Sequence, residues 1–226
     1  MKRILIVAAH PDDEILGCGG TIARLLEEKG CDVMTLILGE GITSRRDNKN
    51  CSNGMNELEF LKRNIIDANK LLGIQKTISL DFPDNQFDTV PLLEITKAIE
   101  GIKKEFAPDT IFTHFYNDMN IDHAITNRAV LTATRPMQCE TVKEVYAFEV
   151  LSSTEWNFPL SFSPDTFVDI SKTLKMKQDA MKIYTTELRE PPHPRSLQGI
   201  EINAKNWGMK VGVKYSEAFQ TLRRIF

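Results

Sequence analysis

The run Arg3-Ile4-Leu5-Ile6-Val7-Ala8 leads straight into Ala9-His10-Pro11-Asp12-Asp13-Glu14. Its first part is aliphatic and β-branched, the mark of a β-strand. Its second part gathers one imidazole and three carboxylates at the strand's carboxyl end. With Met1-Lys2-Arg3 in front, the segment superficially resembles a secretion signal. The apolar core is too short for one, however, and it meets acidic residues where a cleavage site would stand. It reads as the first strand of a sheet.

Working outward, short β-branched runs alternate with longer stretches of helical period. Strands are expected at 3–8, 32–38, 76–80, 109–114 and 143–150, and helices at 15–29, 55–72, 92–106 and 122–134. This alternation specifies βα units around a mostly parallel sheet, an α/β fold. Gly30 and Gly73 stand where left-handed C-caps belong, and Pro91 sits at a first helical turn. Ser171 marks the start of a helix to about residue 185, and a last helix covers 197–209. Connections at 39–54, 81–90 and 151–164 exceed ordinary loop length and are candidates for function.

The chain has 226 residues, 42% hydrophobic and 26% charged. That is globular usage, which excludes a disordered, collagen-like or coiled-coil protein. With no repeat and no linker, residues 1–226 read as one domain. A net charge of −3 offers no basic footprint for nucleic acid. No apolar run approaches the roughly 20 residues of a membrane span. Cys18, Cys31, Cys51 and Cys139 lack Cys-x-x-Cys spacing and read as free thiols in a reducing, cytoplasmic setting. A homo-oligomer is left open.

A second polar cluster, His114-Phe115-Tyr116-Asn117-Asp118-Met119-Asn120-Ile121-Asp122-His123, follows the fourth expected strand. Both clusters therefore fall on the sheet edge where α/β proteins bind ligands. Imidazole and carboxylate suit a borderline divalent metal, and three protein ligands leave a position for water or substrate. His10, Asp13 and His123 supply such a triad. Asp12 is then left beside the ion, able to take a proton from activated water and return it to a leaving amine. Helix capping by Asp12 or Asp13 is the plain alternative, and it is compatible with ligation.

His10-Pro11-Asp12-Asp13-Glu14-Ile15-Leu16-Gly17-Cys18-Gly19-Gly20, with the later Asp122-His123, resembles the PIG-L/LmbE family. The tail Val213-Lys214-Tyr215-Ser216-Glu217-Ala218-Phe219 is similar to that family's Ala-Glu-x-Phe segment, so the likeness spans nearly the whole chain. The resemblance implies a Rossmann-like three-layer αβα fold. It also implies a zinc-dependent hydrolase that removes an N-acetyl or other N-acyl group from an amino sugar or its conjugate. His10, Asp13 and His123 would then be the metal ligands and Asp12 the general base. One departure stands out: many members carry a histidine where this chain has Asn120. An amide can donate a hydrogen bond to an oxyanion but cannot deliver a proton as an imidazolium can.

Other residues carry weaker readings. Asp122 either orients a ligand histidine or caps its helix. His114 reads as a satisfied core histidine. Asp118 is a candidate contact for substrate hydroxyls, Arg45 and Arg46 for a substrate phosphate, and Trp156 with Asn157 for a sugar face. Arg195, near His193 among three prolines, offers a guanidinium fork for phosphate or carboxylate. A dinucleotide-binding module is disfavoured, because Ile22 occupies the third glycine position and carboxylates replace the N–H donors a pyrophosphate needs. A non-haem iron(II) oxygenase shares the two-His-one-carboxylate donor set. A non-catalytic sugar- or nucleotide-binding protein would have no use for the spare Asp12.

Overall fold

The computed structural model describes residues 1–41 and 54–225; Arg45, Arg46 and Cys51 lie outside them. β1 (Arg3–Ala8) leads through α1 (Asp13–Lys29) to β2 (Asp32–Gly39), then α2 (Gly54–Leu71) and β3 (Lys76–Phe82). The chain then returns through α3 (Leu92–Phe106) to β4 (Thr110–His114), α4 (Ile121–Ala133) and β5 (Glu144–Phe148). β6 (Thr166–Asp169), α5 (Leu174–Ile183), α6 (Leu197–Val211) and β7 (Ser216–Arg224) complete it.

The strands form one sheet in the order β3-β2-β1-β4-β5-β7-β6. β1 to β5 are parallel, and β7 pairs antiparallel with both β5 and β6. The fold is therefore the expected three-layer α/β sandwich, with a mixed outer edge. β6 and β7 were not expected from the sequence. β6 is only four residues long, and Glu217, Gln220, Arg223 and Arg224 interrupt the apolar signal of β7.

β1 shows why the sheet is covered twice. Ile4, Ile6 and Ala8 enter one core, under α1, α2 and α5. Leu5, Val7 and Ala9 enter the other, under α3 and α4. Alternate side chains point to opposite faces, so an unbroken apolar run is the signature of a strand buried on both. Burial of each large aliphatic side chain contributes about 1.5–3 kcal/mol.

α1 lies close on the sheet where glycine leaves it without bulk, at Gly17 and Gly20. A Cβ placed on Gly17 would come within 2.3 Å of the Phe148 ring. At its far end Gly30 takes the left-handed conformation, φ 57°, and its N–H returns to the Leu26 carbonyl. Chain direction along the sheet reverses between β1 and β4, and that switch point is where α/β sheets open a crevice. No helix among the described residues is long and apolar enough to cross a membrane.

Candidate metal centre

The crevice holds the first motif at the end of β1 and the second at the end of β4. Asp12 has φ 97°, left-handed backbone that a non-glycine residue rarely adopts. Its N–H is held by Glu14 Oε2 at 3.1 Å. Glu14 Oε1 in turn accepts from Tyr184 Oη at 2.6 Å and Asn69 Nδ2 at 2.9 Å. The turn lets Asp12 carry the chain into α1 through its carbonyl, which accepts from Ile15 and Leu16. Its carboxylate makes no capping bond. Instead it lines a cavity of about 60 Å³, together with His10, Asn120 and Arg195.

Asp13 opens α1 and accepts the His10 N–H at 2.8 Å on Oδ2. The same oxygen lies 3.4 Å from His10 Nδ1 and 3.4 Å from His123 Nε2. Three ligand atoms of His10, Asp13 and His123 stand within 4.8 Å of one another, and the His10 and His123 rings are 5.3 Å apart. Bonds near 2.1 Å in a tetrahedron give an edge of about 3.4 Å, so these separations suit a small divalent ion. The buried Asp13 Oδ1 and His123 Nε2 have no hydrogen-bond partner. Unpaired buried polar atoms are expensive, and a bound cation would satisfy them. The residues present fit a metal.

Each imidazole is held by a carboxylate from behind. His10 Nε2 meets Asp122 Oδ2 at 2.9 Å and Asp84 Oδ1 at 3.3 Å, which turns Nδ1 towards Asp13. Asp122 is itself fixed by the Phe87 N–H at 2.9 Å. His123 Nδ1 faces Asp118 Oδ1 at 3.1 Å, and Asp118 accepts from the hydroxyls of Ser153 and Thr154. His114 lies beneath, stacked on His123 at 4.0 Å, with Nε2 accepting the Ala9 N–H at 2.8 Å.

Charge follows this geometry. Burial alone would push Asp13 up, but His123 and His114 outweigh it and hold the carboxyl well below its usual range. Burial pulls His10 down, yet Asp122, Asp13 and Asp84 carry it up to about 10. Asp12 is pushed well above the ordinary carboxylate range by burial, partly countered by Arg195. Burial also drives His114 well below its usual value, with His123 adding to the effect, so that ring is neutral.

The other candidates fall as follows. Arg195 reaches Asp12 Oδ2 at 3.2 Å through Nη1, while its Nε donates to Ser152 Oγ at 2.7 Å. Asn120 caps α4, its Oδ1 accepting the Asp122 N–H, and its Nδ2 donates to Asn85 Oδ1 at 2.9 Å. Asp118 is buried behind His123 and accepts the N–H of the cavity-lining Asn120 at 2.8 Å. Trp156 is 44% exposed and meets His193 edge-on; it does not line the cavity. Arg45 lies outside the described residues. The sequence reading missed Asp84, Ser153 and Glu187, whose Oε2 lies 3.7 Å from Arg195 Nη1 at the cavity. Asp84 stands in an acidic turn at the carboxyl edge of the sheet, the one signal that could have found it.

The family model described as PIG-L, GlcNAc-PI de-N-acetylase, matches residues 5–134. Among curated proteins, the uncharacterized deacetylase YaiS of Escherichia coli (strain K12) is 29% identical over 76% of this chain and 83% of its own length. A probable N-acetyl-alpha-D-glucosaminyl L-malate deacetylase 2 of Bacillus cereus is 28% identical over 82% of this chain and 84% of its own. Among solved structures, the N,N'-diacetylchitobiose deacetylase of Pyrococcus horikoshii superposes with a TM-score of 0.79. That match covers 98% of this chain and 84% of the other at 20% identity, a likeness of fold.

Proposed function

Since this chain belongs to the PIG-L family, we propose that it hydrolyses the N-acetyl amide of an amino sugar or amino-sugar conjugate at the centre formed by His10, Asp13 and His123. These residues would hold a divalent ion, zinc by preference, with iron(II) suited to the same donors. When bound, the ion supplies Lewis acidity towards water and towards an amide carbonyl.

The observation that carries the reading is Asp12: a buried carboxylate on a strained turn, free of capping duty, facing the cavity next to the ligand set. A carboxyl raised by burial is a better base than an ordinary one. Asp12 takes the proton of the attacking water and delivers it to the departing amine nitrogen. Arg195 keeps the Asp12 carboxylate turned to the cavity. The Asn120 side chain is oriented by its cap bond to Asp122. Its Nδ2 gives one N–H to Asn85 Oδ1, and the second would support the oxyanion. Asp122 and Asp118 hold His10 and His123 in their ligating orientation.

Release of free amine from a set of acetylated amino sugars, with metal analysis on the same preparation, tests the reading. Asp12→Ala is expected to keep its metal while kcat falls about 10²–10⁴-fold. His10→Ala, Asp13→Ala and His123→Ala are expected to lose metal as well. Full turnover by Asp12→Ala would overturn the mechanism. Turnover without dioxygen separates the hydrolase from an iron oxygenase.

A further inference from the structure

The cavity at the metal centre, about 60 Å³, is small against the roughly 300–1,000 Å³ of ordinary ligand sites. At the roughly 15 Å³ that one water needs, it has space for little more than the atoms of an acetamido group. The rest of a sugar conjugate must therefore lie outside, on the rim of the crevice.

Two loops build that rim, 115–120 after β4 and 149–165 after β5, and they are tied to each other. Asn157 Nδ2 donates to the Asn117 carbonyl at 3.0 Å, and Asn117 Nδ2 donates to Ser161 Oγ at 2.8 Å. Phe115 meets Phe162 edge-on at 5.2 Å. Both loops border the cavity. The first ends in Asn120, which lines it. From the second, Trp156 meets His193 edge-on at 5.6 Å, and His193 Nδ1 accepts the N–H of the cavity-lining Arg195 at 3.1 Å.

What these loops show to solvent is apolar. Phe158 is 76% exposed and Leu160 66%, and Tyr116, Met119 and Trp156 are exposed as well. Single exposed apolar residues are ordinary, but five on two joined loops at the mouth of a site mark a binding surface. Residues 115–117, 119–121 and 156–163 carry no charge, in a chain that is 26% charged. The Asn117, Asn157 and Ser161 side chains are spent on one another. A phosphate or carboxylate seated here would find no counter-charge among these residues, whereas an alkyl or aryl group would leave water for apolar surface.

We propose that this rim seats the aglycone of the substrate, an apolar alkyl or aryl group joined to the amino sugar without a charged linker. The inference rests on the reading of the metal centre as an amide hydrolase, which puts the acetamido group in the cavity and the aglycone beside Trp156, Phe158 and Leu160.

Amine release by the metal-loaded full chain from N-acetylglucosaminides with methyl, butyl, hexyl and octyl aglycones, each below its micelle-forming concentration, tests it. kcat/KM is expected to rise about twofold per added methylene, the square root of the roughly fourfold that complete burial gives, because the rim covers one side of the chain. Phe158→Ser and Leu160→Ser, both at exposed positions, should each lower the octyl-to-methyl ratio about threefold or more. A flat series, or a ratio unaltered in both variants, would overturn the proposal. If no glycoside releases amine, the hydrolase reading falls, and the rim is judged by the dissociation constants of the same glycosides and by nuclear Overhauser contacts from the octyl chain to the Trp156 and Phe158 rings of native protein. Contacts with those rings and tighter octyl binding would uphold the rim; equal constants for methyl and octyl would reject it. Sedimentation of the variants covers the remaining occupant: an oligomer that dissociates while the ratio stays unaltered would assign this face to a second copy of the chain.

Discussion

Asp12 concentrates the tension of this fold in one residue. A non-glycine backbone at φ 97° costs about 1–3 kcal/mol, and it survives because Glu14, Tyr184 and Asn69 hold it through a buried chain of hydrogen bonds. Asp118 shows a different division of labour. A candidate substrate contact in the sequence, it packs against His123, Ser153 and Thr154. The His123 imidazole and these hydroxyls outweigh its burial and hold its carboxyl below the usual range. Loss of such a support typically weakens metal binding about 10–100-fold. Asp118→Ala is therefore expected to raise the metal dissociation constant by that order, as read by competition with a chelating dye. An unchanged constant would assign Asp118 to packing alone. Asn120→Ala tests the cavity from the other side. On the proposed reading kcat falls while the metal stays bound, and an unaltered kcat removes Asn120 from the reaction.

Among the elements, β1 and α3 carry the clearest sequence signals, and both span the expected residues, Arg3–Ala8 and Leu92–Phe106. Each is amply marked: β1 by an unbroken aliphatic run, α3 by an apolar stripe behind Pro91. The antiparallel edge was illegible because β6 and β7 stabilise one another across the whole of 170–215, and neither reads as a strand alone. The site divides the same way. His10, Asp12 and Asp13 lie in one turn and could be read together, whereas Asp84, Ser153 and Glu187 arrive from loops that only the tertiary fold assembles. A related joint lies at the other end of the strands, where Asp109 accepts the N–H groups of Lys2 at 2.7 Å and Arg3 at 3.3 Å, and Thr110 Oγ1 at 2.6 Å. Burial opposes its charge, but these bonds prevail and lower its pKa. A carboxylate with a depressed folded pKa stabilises above its unfolded value and loses that effect as pH falls through the folded one. Asp109→Asn should thus melt below the native protein at pH 7, with the gap closing below about pH 4. The group is largely exposed, so the gap should stay below about 1 kcal/mol. A gap that is constant with pH would show that charge is not its cause.

At the scale of the whole molecule, one buried ion pair fastens α1, α5 and β7 to each other. Lys177 Nζ donates to Glu217 Oε1 at 2.6 Å and to the Leu16 carbonyl at 2.7 Å. Glu217 also accepts the N–H groups of Gly20 at 3.0 Å and Thr21 at 2.7 Å, and Thr173 Oγ1 donates to the Gly20 carbonyl at 2.7 Å. The glycines that let α1 lie close to the sheet leave its backbone reachable by side chains, and this clamp uses that access. The orientation of α1, and with it the aim of Asp12 and Asp13, depends on elements more than 150 residues further along the chain. Both members of the pair are almost fully buried, so removing one strands the other. Lys177→Met is expected to cost about 3–5 kcal/mol, the range for a broken buried pair, measured by urea denaturation. Adding Glu217→Gln should return part of that loss, because no uncompensated charge is left and the amide oxygen still accepts one of the two N–H groups that Gly20 and Thr21 give to separate oxygens. If Lys177→Met cost under about 1 kcal/mol, the pair would be no stronger than a surface contact, and the seating of α1 would have to rest on its packing against Phe148 and Ile170.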